Sequence, residues 1–320
     1  MGCSCKKASS FTNTGDEVIM KILVLGGNGF LGSHIVDALL INGHEVSVFD
    51  RSANKNMPFD PNIKYYFGDF SDSVLISEAL MHVECVVHCI STTVPSTSNS
   101  NPTLDIQQNL ITTVNLLESM TRAKVKKLIY LSSGGTVYGI PKQLPVTEQH
   151  SLNPICSYGV VKVAIEHYIG MFKELYGLKP IILRPSNPYG MRQGHAGVQG
   201  ALSTFLFNTI AKKPITIWGD GEIQRGYIYA KDMAALCRLA VESDAEGTYN
   251  VCSGKSHSLN QLLTFIESAT GITPNVTYQP ARAFDVKNIV LDISEAKKTF
   301  GWAPQYSIQQ GINEFYQSLK

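Results

Sequence analysis

The stretch KILVLGGNGFLGSHIVDALLINGHEVSVFDR, residues 21–51, decides the fold of this chain. It opens with an unbroken apolar run, the pattern of a strand buried on both faces of a parallel sheet. Gly26, Gly29 and Gly32 follow at three-residue spacing, and an amphipathic helix then runs to Asn42-Gly43. A second strand, EVSVFD, ends on Asp50. Glycines so placed let the backbone turn sharply and come close to a pyrophosphate. The free N–H groups and dipole of the helix N-terminus then stabilise its charge. A carboxylate closing the second strand suits the hydroxyls of an adenosine ribose and repels a 2′-phosphate. Strand, glycine turn, helix and acid in this order predict a dinucleotide site, and Asp50 favours NAD over NADP. Arg51, directly after it, pulls the other way, because a guanidinium accommodates the 2′-phosphate.

Strand and helix keep alternating beyond Asp50. IKYYFGDF (ending at Asp69 and Phe70), CVVHCIS, KKLIYLSS and KPIILRPS read as further strands, with helices around 104–120 and 158–176 between them. This predicts a Rossmann-type doubly wound α/β fold with a parallel sheet. Ligands in such sheets lie beyond the carboxyl ends of the strands. Asp69, Ile90-Ser91, Ser132-Ser133 and Pro185-Ser186 are therefore expected along one crevice. From about Tyr189, shorter elements separated by Gly and Pro turns predict a smaller α/β lobe for the substrate. The expected division is a leader at 1–19, a dinucleotide-binding domain at 20–188 and a mainly substrate-binding lobe at 189–320. Some segments of that lobe are expected to return to the first domain.

Of the 320 residues 44% are hydrophobic and 17% charged, and the formal net charge is +1. That composition can bury a sizeable core, and it is too balanced for an electrostatic nucleic-acid binder. No apolar run reaches the roughly 18 residues that span a bilayer. The seven cysteines are scattered and form no CxxC pair, so a reduced, cytoplasmic chain without a structural metal is expected. Residues 1–19 are polar and aperiodic. Lys6 stands where a myristoylation signal has Ser or Thr, and no secretory apolar region follows. A disordered leader ahead of Met20 is expected.

SYGVVK, residues 157–162, places Tyr158 and Lys162 on one helix face, at the helix start beside the crevice. A free phenol has a pKa of about 10 and is no base at neutral pH. A nearby ammonium and the positive nicotinamide ring both favour the phenolate. Lowering the pKa by about three units is worth roughly 4 kcal/mol, much of which one close cation in a partly dry site supplies. The pair is therefore a candidate general base for an alcohol that gives its hydride to NAD, with Lys162 expected to lower the pKa of Tyr158.

GGNGFLG, GDF, SSGGTVYG, YGVVK, LRPSNPYG, WGDGEIQRGYIYAKD, YNVCSG, RAFD and FGWAP occur in this order from about Met20 to the C-terminus. Together they resemble the extended short-chain dehydrogenase/reductases, and among these the UDP-glucose 4-epimerase group. The resemblance implies that Gly26, Asn28, Gly29, Phe30, Leu31, Gly32 and Asp50 hold the adenosine diphosphate half of NAD. It implies Asp69 and Phe70 beside the adenine. Cys89, Ile90, Ser91 and Asn109 are implied on the nicotinamide ribose side, with Ser132 and Ser133 near it. Lys162 would bond the ribose as well as tune Tyr158. Pro185 and Asn187 would sit between NAD and the sugar nucleotide. Arg225 and Arg282 would clamp the substrate diphosphate, since guanidinium forks match phosphate oxygens, and Asp285 would hold a ribose or orient Arg282. Ile289 stands where side-chain bulk limits the sugar, and its intermediate size leaves plain and N-acetylated hexoses both open.

The chain departs from the group at two places. Gly134 stands where a hydroxyl usually meets the reacting sugar oxygen; Thr136 is expected to hold that oxygen, with Ser133 the second candidate. Gly226 follows Arg225 where an acid is common. Gly135 and Thr136 replace the Asp-Glu pair of the related dehydratases, and Thr136 replaces the Glu of the decarboxylases. What the resemblance implies is 4-epimerisation of a UDP-sugar with tightly held NAD, through a transient 4-keto sugar. A 4-keto reductase and a catalytically silent NAD-binding protein are the alternatives. Apolar faces on the helices around 104–120 and 158–176 correspond to a dimer interface in the group, so a homodimer is expected, with no nucleic-acid or membrane partner.

Overall fold

The computed structural model describes residues 19–53, 60–194, 200–281 and 288–320. The expected leader (all but Ile19), Arg282 and Asp285 lie outside the described residues. The first six strands are β1 (Lys21–Leu25), β2 (Glu45–Asp50), β3 (Lys64–Phe67), β4 (Cys85–His88), β5 (Lys127–Leu131) and β6 (Lys179–Pro185). Those that follow are β7 (Asn187–Tyr189), β8 (Ile215–Trp218), β9 (Gln224–Tyr229), β10 (Gly247–Val251), β11 (Ser256–Ser258), β12 (Val276–Gln279) and β13 (Asn288–Ile289). Seven of them form one parallel sheet in the order β10-β6-β5-β4-β1-β2-β3. The order reverses between β1 and β4, and a doubly wound sheet opens its ligand crevice at such a point.

The apolar run of β1 has its reason in this sheet. Ile22 and Val24 pack into one core with Ile35 and Leu39 of α1 (Phe30–Ile41). Leu23 and Leu25 pack into a second core on the opposite face. That second core is completed by α2 (Ser73–Ala79) and by the later helices α5 and α6 introduced next. Burying each such side chain stabilises the fold by about 1.5–3 kcal/mol. Between β4 and β5 the chain forms short α3 (Pro95–Ser98), α4 (Pro102–Asp105), a π-helical turn at Ile106–Ile111, and α5 (Thr112–Ala123). After β5 comes α6 (Ser157–Tyr176), closed by Gly177 in the left-handed conformation, φ 67°. There Leu178 N–H reaches back to Phe172 C=O, a glycine-terminated helix end.

The later chain contributes to both layers. β10 extends the central sheet beside β6, and α8 (Ala230–Glu242) packs against α1. A separate apolar core gathers Tyr189 and Tyr227, Leu202 and Phe205 of α7 (Ala201–Ile210), Leu262 of α9 (Leu259–Thr270), and Phe315. α10 (Ser294–Phe300) and α11 (Ile308–Gln317), the latter carrying Phe315, close the chain. Among the described residues no helix is long and apolar enough to cross a membrane, and no cluster of His, Cys, Asp and Glu could hold a metal ion.

Candidate active site

A crevice of about 840 Å³ opens where the strand order reverses. Its walls come from segments that leave the strand ends: Gly26–Gly32 after β1, Asp50 and Arg51 at β2, Asp69 and Phe70 after β3, and Cys89–Ser96 after β4. Ser133, Gly135 and Thr136 follow β5, Tyr158 opens α6, and Pro185 and Asn187 bracket the junction of β6 and β7.

At Gly26 and Gly32 the turn has no room for a side chain. Gly26 sits at φ +79°, and a Cβ on Gly32 would fall 2.0 Å from the Gly26 carbonyl oxygen. Gly29 N–H and Ser33 N–H tie the turn to the first turn of α1. One Asp50 oxygen accepts from Asn28 N–H (3.0 Å) and the other from Arg51 N–H (2.7 Å), which fixes the carboxylate at the crevice wall. Asn28 itself donates its amide to Ser52 C=O (2.8 Å) and serves the turn rather than the crevice wall. Asp69 is held below the ordinary carboxylate range by the hydroxyl and N–H of Ser71.

Asn109 does not line the crevice, contrary to expectation. It lies in the π-helical turn, a local irregularity common at functional sites. Its Oδ1 accepts Thr92 N–H (2.9 Å), and its Nδ2 donates to Thr92 Oγ1 and to buried Asp105 (2.9 Å each). Asp105 also accepts from Thr93 and Ser157, so this group joins the β4 loop to the start of α6. Ser132 is a second correction. Its hydroxyl turns inward to Glu166, 2.5 Å away, and away from the nicotinamide side.

Tyr158 lines the reacting end of the crevice, and Lys162 lies behind it. Lys162 Nζ donates to Leu131 C=O (2.9 Å) and lies over the rings of Tyr130 (4.8 Å) and Tyr158 (5.6 Å). The expected electrostatic tuning is not what dominates. Burial pushes the Tyr158 phenol up to about 12, although part of its side chain stays exposed along the crevice. The opposing influences are the hydroxyls of Ser91 and Ser133. Burial lowers Lys162 to about 8, where ordinary lysines stand at 10.5. The expected role of the lysine failed to weigh how dry its own surroundings are.

Thr136 Oγ1 is buried and has no hydrogen-bond partner among the described residues. Other atoms of Thr136 line the crevice wall. Packing accounts for both departures noted above. A Cβ on Gly134 would lie 2.7 Å from Arg184 C=O and 2.5 Å from Leu291, so no serine fits there. A Cβ on Gly226 would lie 2.4 Å from Cys252 Sγ, so a larger residue there requires the Cys252 side chain to shift.

The substrate-side residues are brought together only in part. Asn187 walls the crevice, its amide anchored on Gly226 C=O (2.9 Å). Arg225 sits on β9, paired with Ile289 of β13, and is not among the crevice-lining residues. Ile289 is 4% exposed within the core beneath the sheet, so its side chain does not meet the crevice as expected. Thr92–Ser96, Gln107, Gln108 and Gln193 also line the crevice, beyond the residues expected there. The polar run STTVPSTS at the sheet edge was the available signal for the first of these.

A doubly wound sheet with a glycine-built phosphate turn, and a crevice-facing tyrosine backed by a buried lysine, defines a dinucleotide-dependent enzyme. Residues 22–252 match the NAD dependent epimerase/dehydratase family, and the chain belongs to that family. It is similar to the solved UDP-glucose 4-epimerase of Thermotoga maritima with UDP-glucose, with 33% identity and a TM-score of 0.88, covering 94% of this chain and 98% of that one. The Thermus thermophilus UDP-glucose 4-epimerase in complex with NAD is equally close, at 33% identity and a TM-score of 0.87, covering 93% and 98%. An Escherichia coli dTDP-4-dehydro-6-deoxyglucose reductase is 32% identical over 93% of this chain and 97% of its own length.

Proposed function

We propose that this protein is an NAD-dependent nucleotide-sugar 4-epimerase acting on a UDP-hexose. One observation carries the reading. Among the described residues that wall the crevice, the carboxylates are Asp50 and Asp69, both at the β2–β3 side, while the hydroxyls of Ser91 and Ser133 meet Tyr158 and Thr136 lines the same crevice. A reacting end with a phenol and no carboxylate suits proton transfer to and from an alcohol, and it lacks the acid and base of a dehydration.

The residues fit NAD: the Gly26–Gly32 turn for the pyrophosphate, Asp50 for the adenosine ribose, and Cys89, Ile90 and Ser91 along the nicotinamide side. NAD bound there supplies a hydride acceptor that returns the same hydride, and a positive charge beside the phenol. Tyr158 takes the O4 proton as C4 is oxidised, and gives it back once the keto sugar has turned its other face. Ser91 and Ser133 stabilise the phenolate while the proton is away, and Thr136 holds the sugar oxygen. Arg225 is proposed for the substrate diphosphate, together with Arg282 and Asp285.

The test is purified protein without added cofactor against UDP-glucose, UDP-galactose and their N-acetyl and uronic forms, with products read by NMR. Interconversion at C4 is the expected result. Similarity to the E. coli reductase gives the second reading, a 4-keto reductase, which net consumption of NADH or NADPH with a keto sugar would select. A homodimer is proposed through α6 and the helical segment 104–120, where Ile106 and Ile111 of the π-helical turn and Met171, Leu175 and Tyr176 of α6 are exposed. Leu175→Glu should then convert a dimer to a monomer on size-exclusion chromatography.

A further inference from the structure

We propose that Glu166 is a positioning residue of this site: paired with Arg184, it fixes both ends of the 132–138 loop and the helix face that carries Tyr158 and Lys162. The inference rests on the assignment of that pair as the reacting centre.

Tyr158, Lys162 and Glu166 are spaced four apart along α6 and so share one stripe of the helix. Glu166 and Arg184 are 8% and 5% exposed. The guanidinium forks onto the carboxylate, Nε to Oε1 at 3.1 Å and Nη2 to Oε2 at 2.5 Å. A buried pair of this kind loses so much solvation that apolar residues of similar volume would stabilise the fold equally well. Its other contacts show what it organises. Ser132 Oγ donates to Glu166 Oε1. Arg184 Nη1 donates to Tyr138 OH (2.9 Å), which donates to Asn250 Oδ1 (2.7 Å). Ser133 and Thr136 lie between these anchors, flanking Gly134 and Gly135. Two consecutive glycines leave a loop pliant, and the side-chain anchors restrict it.

The same carboxylate acts on Lys162. Burial lowers the lysine, and Cys89, Glu166 and Asp105 oppose that shift. Cys89 is itself held neutral by burial. His88, Tyr130 and Tyr158 are the other titratable groups facing Lys162. Arg184 and Tyr138 face Glu166. Neutralising Glu166 removes one source of support for the ammonium and leaves the Arg184 charge uncompensated. Both changes lower the pKa of Lys162.

The experiment compares the full-length holoenzyme with Glu166→Gln and with the double variant Glu166→Met/Arg184→Met, which buries no unpaired charge. Steady-state kinetics on the UDP-sugar that the wild type turns over is combined with an NMR titration of 13C-labelled Lys162. In Glu166→Gln, kcat should fall on the order of 10²-fold with KM little changed, the size expected when reacting groups lose their alignment. The Lys162 midpoint should move below that of the wild type. The double variant should melt near the wild type and stay slow, which separates positioning from stability even if Glu166→Gln does not fold. Wild-type kcat and pH profile in the double variant would overturn the proposal. A wild type without epimerase activity would instead overturn the proposed function. In that case the Lys162 midpoint still decides the present point, and an unchanged midpoint in the variants sinks it.

Discussion

The two ends of the crevice are built in different ways. At the adenosine end the site is built around backbone: a turn whose glycines let the chain come close, closed by Asp50 only 24 residues after Gly26. At the reacting end the surface is side chains, Ser91, Ser133, Thr136 and Tyr158, delivered by two strand–helix connections and the first turn of α6. They are held by a buried network that joins residues up to 112 positions apart. The first end depends on close backbone approach. The second depends on distant partners arriving in register. A change at the first end should therefore act on cofactor retention, and a change at the second on turnover.

The largest expected effect is at the reacting end. Tyr158→Phe removes the proton acceptor and should lower kcat on the order of 10³-fold or more. It should leave NAD bound, as measured by the nicotinamide released on denaturing the purified variant. Loss of NAD in parallel would break the division between the two ends.

Thr136→Val is the next in size and the sharper probe. Its hydroxyl is buried without a partner, and a group in that condition costs about 1–3 kcal/mol. The substitution should therefore hold or raise the melting temperature in the absence of substrate. Turnover should fall on the order of 10²-fold, as for removal of a donor that meets the reacting oxygen. A variant that is both less stable and fully active would mean the hydroxyl serves the fold.

At the other end, Gly32→Val should give the opposite pattern. Its Cβ meets the Gly26 carbonyl oxygen at 2.0 Å, so the turn and α1 must separate. Overpacking of this kind costs about 1–3 kcal/mol. Calorimetry should show the loss of stability, and the purified protein should carry less NAD. Activity should return in large part when excess NAD is supplied, because Tyr158 and Thr136 are untouched.

The same contrast explains what could be read from the sequence. The glycine turn, Asp50 and the strand–helix alternation are local, and periodicity with short spacing exposes them. The Tyr158–Lys162 spacing was legible for the same reason, but its electrostatics was not. Burial of the phenol and of the ammonium depends on β4, β5 and the π-helical turn closing over them. Ser132 was read as a crevice residue because it ends a strand at the crevice, and Asn109 and Ile289 because the family resemblance implied it. Side-chain direction there is set by partners far off in sequence: Glu166 for Ser132, Thr92 for Asn109 and the core beneath the sheet for Ile289. Gly134 and Gly226 read as departures from the group, and what the sequence did not show is the close approach of Arg184 C=O to the first and of Cys252 Sγ to the second.

The smallest effect tests whether the adenosine end is indifferent to side chains beyond its carboxylate. Arg51 is exposed at the crevice wall, next to Asp50. An exposed guanidinium acts on a phosphate through solvent and contributes little, so Arg51→Ala should weaken NADP binding by about two- to fivefold. NAD has no 2′-phosphate for it to meet, and NAD retention should be unchanged. Competition of NADP against bound NAD, followed at two salt concentrations, separates the cases, because a screened surface contact fades at high salt. If Arg51→Ala loses NAD as well, the guanidinium belongs to the pyrophosphate cradle. The adenosine end would then rely on a side chain much as the reacting end does.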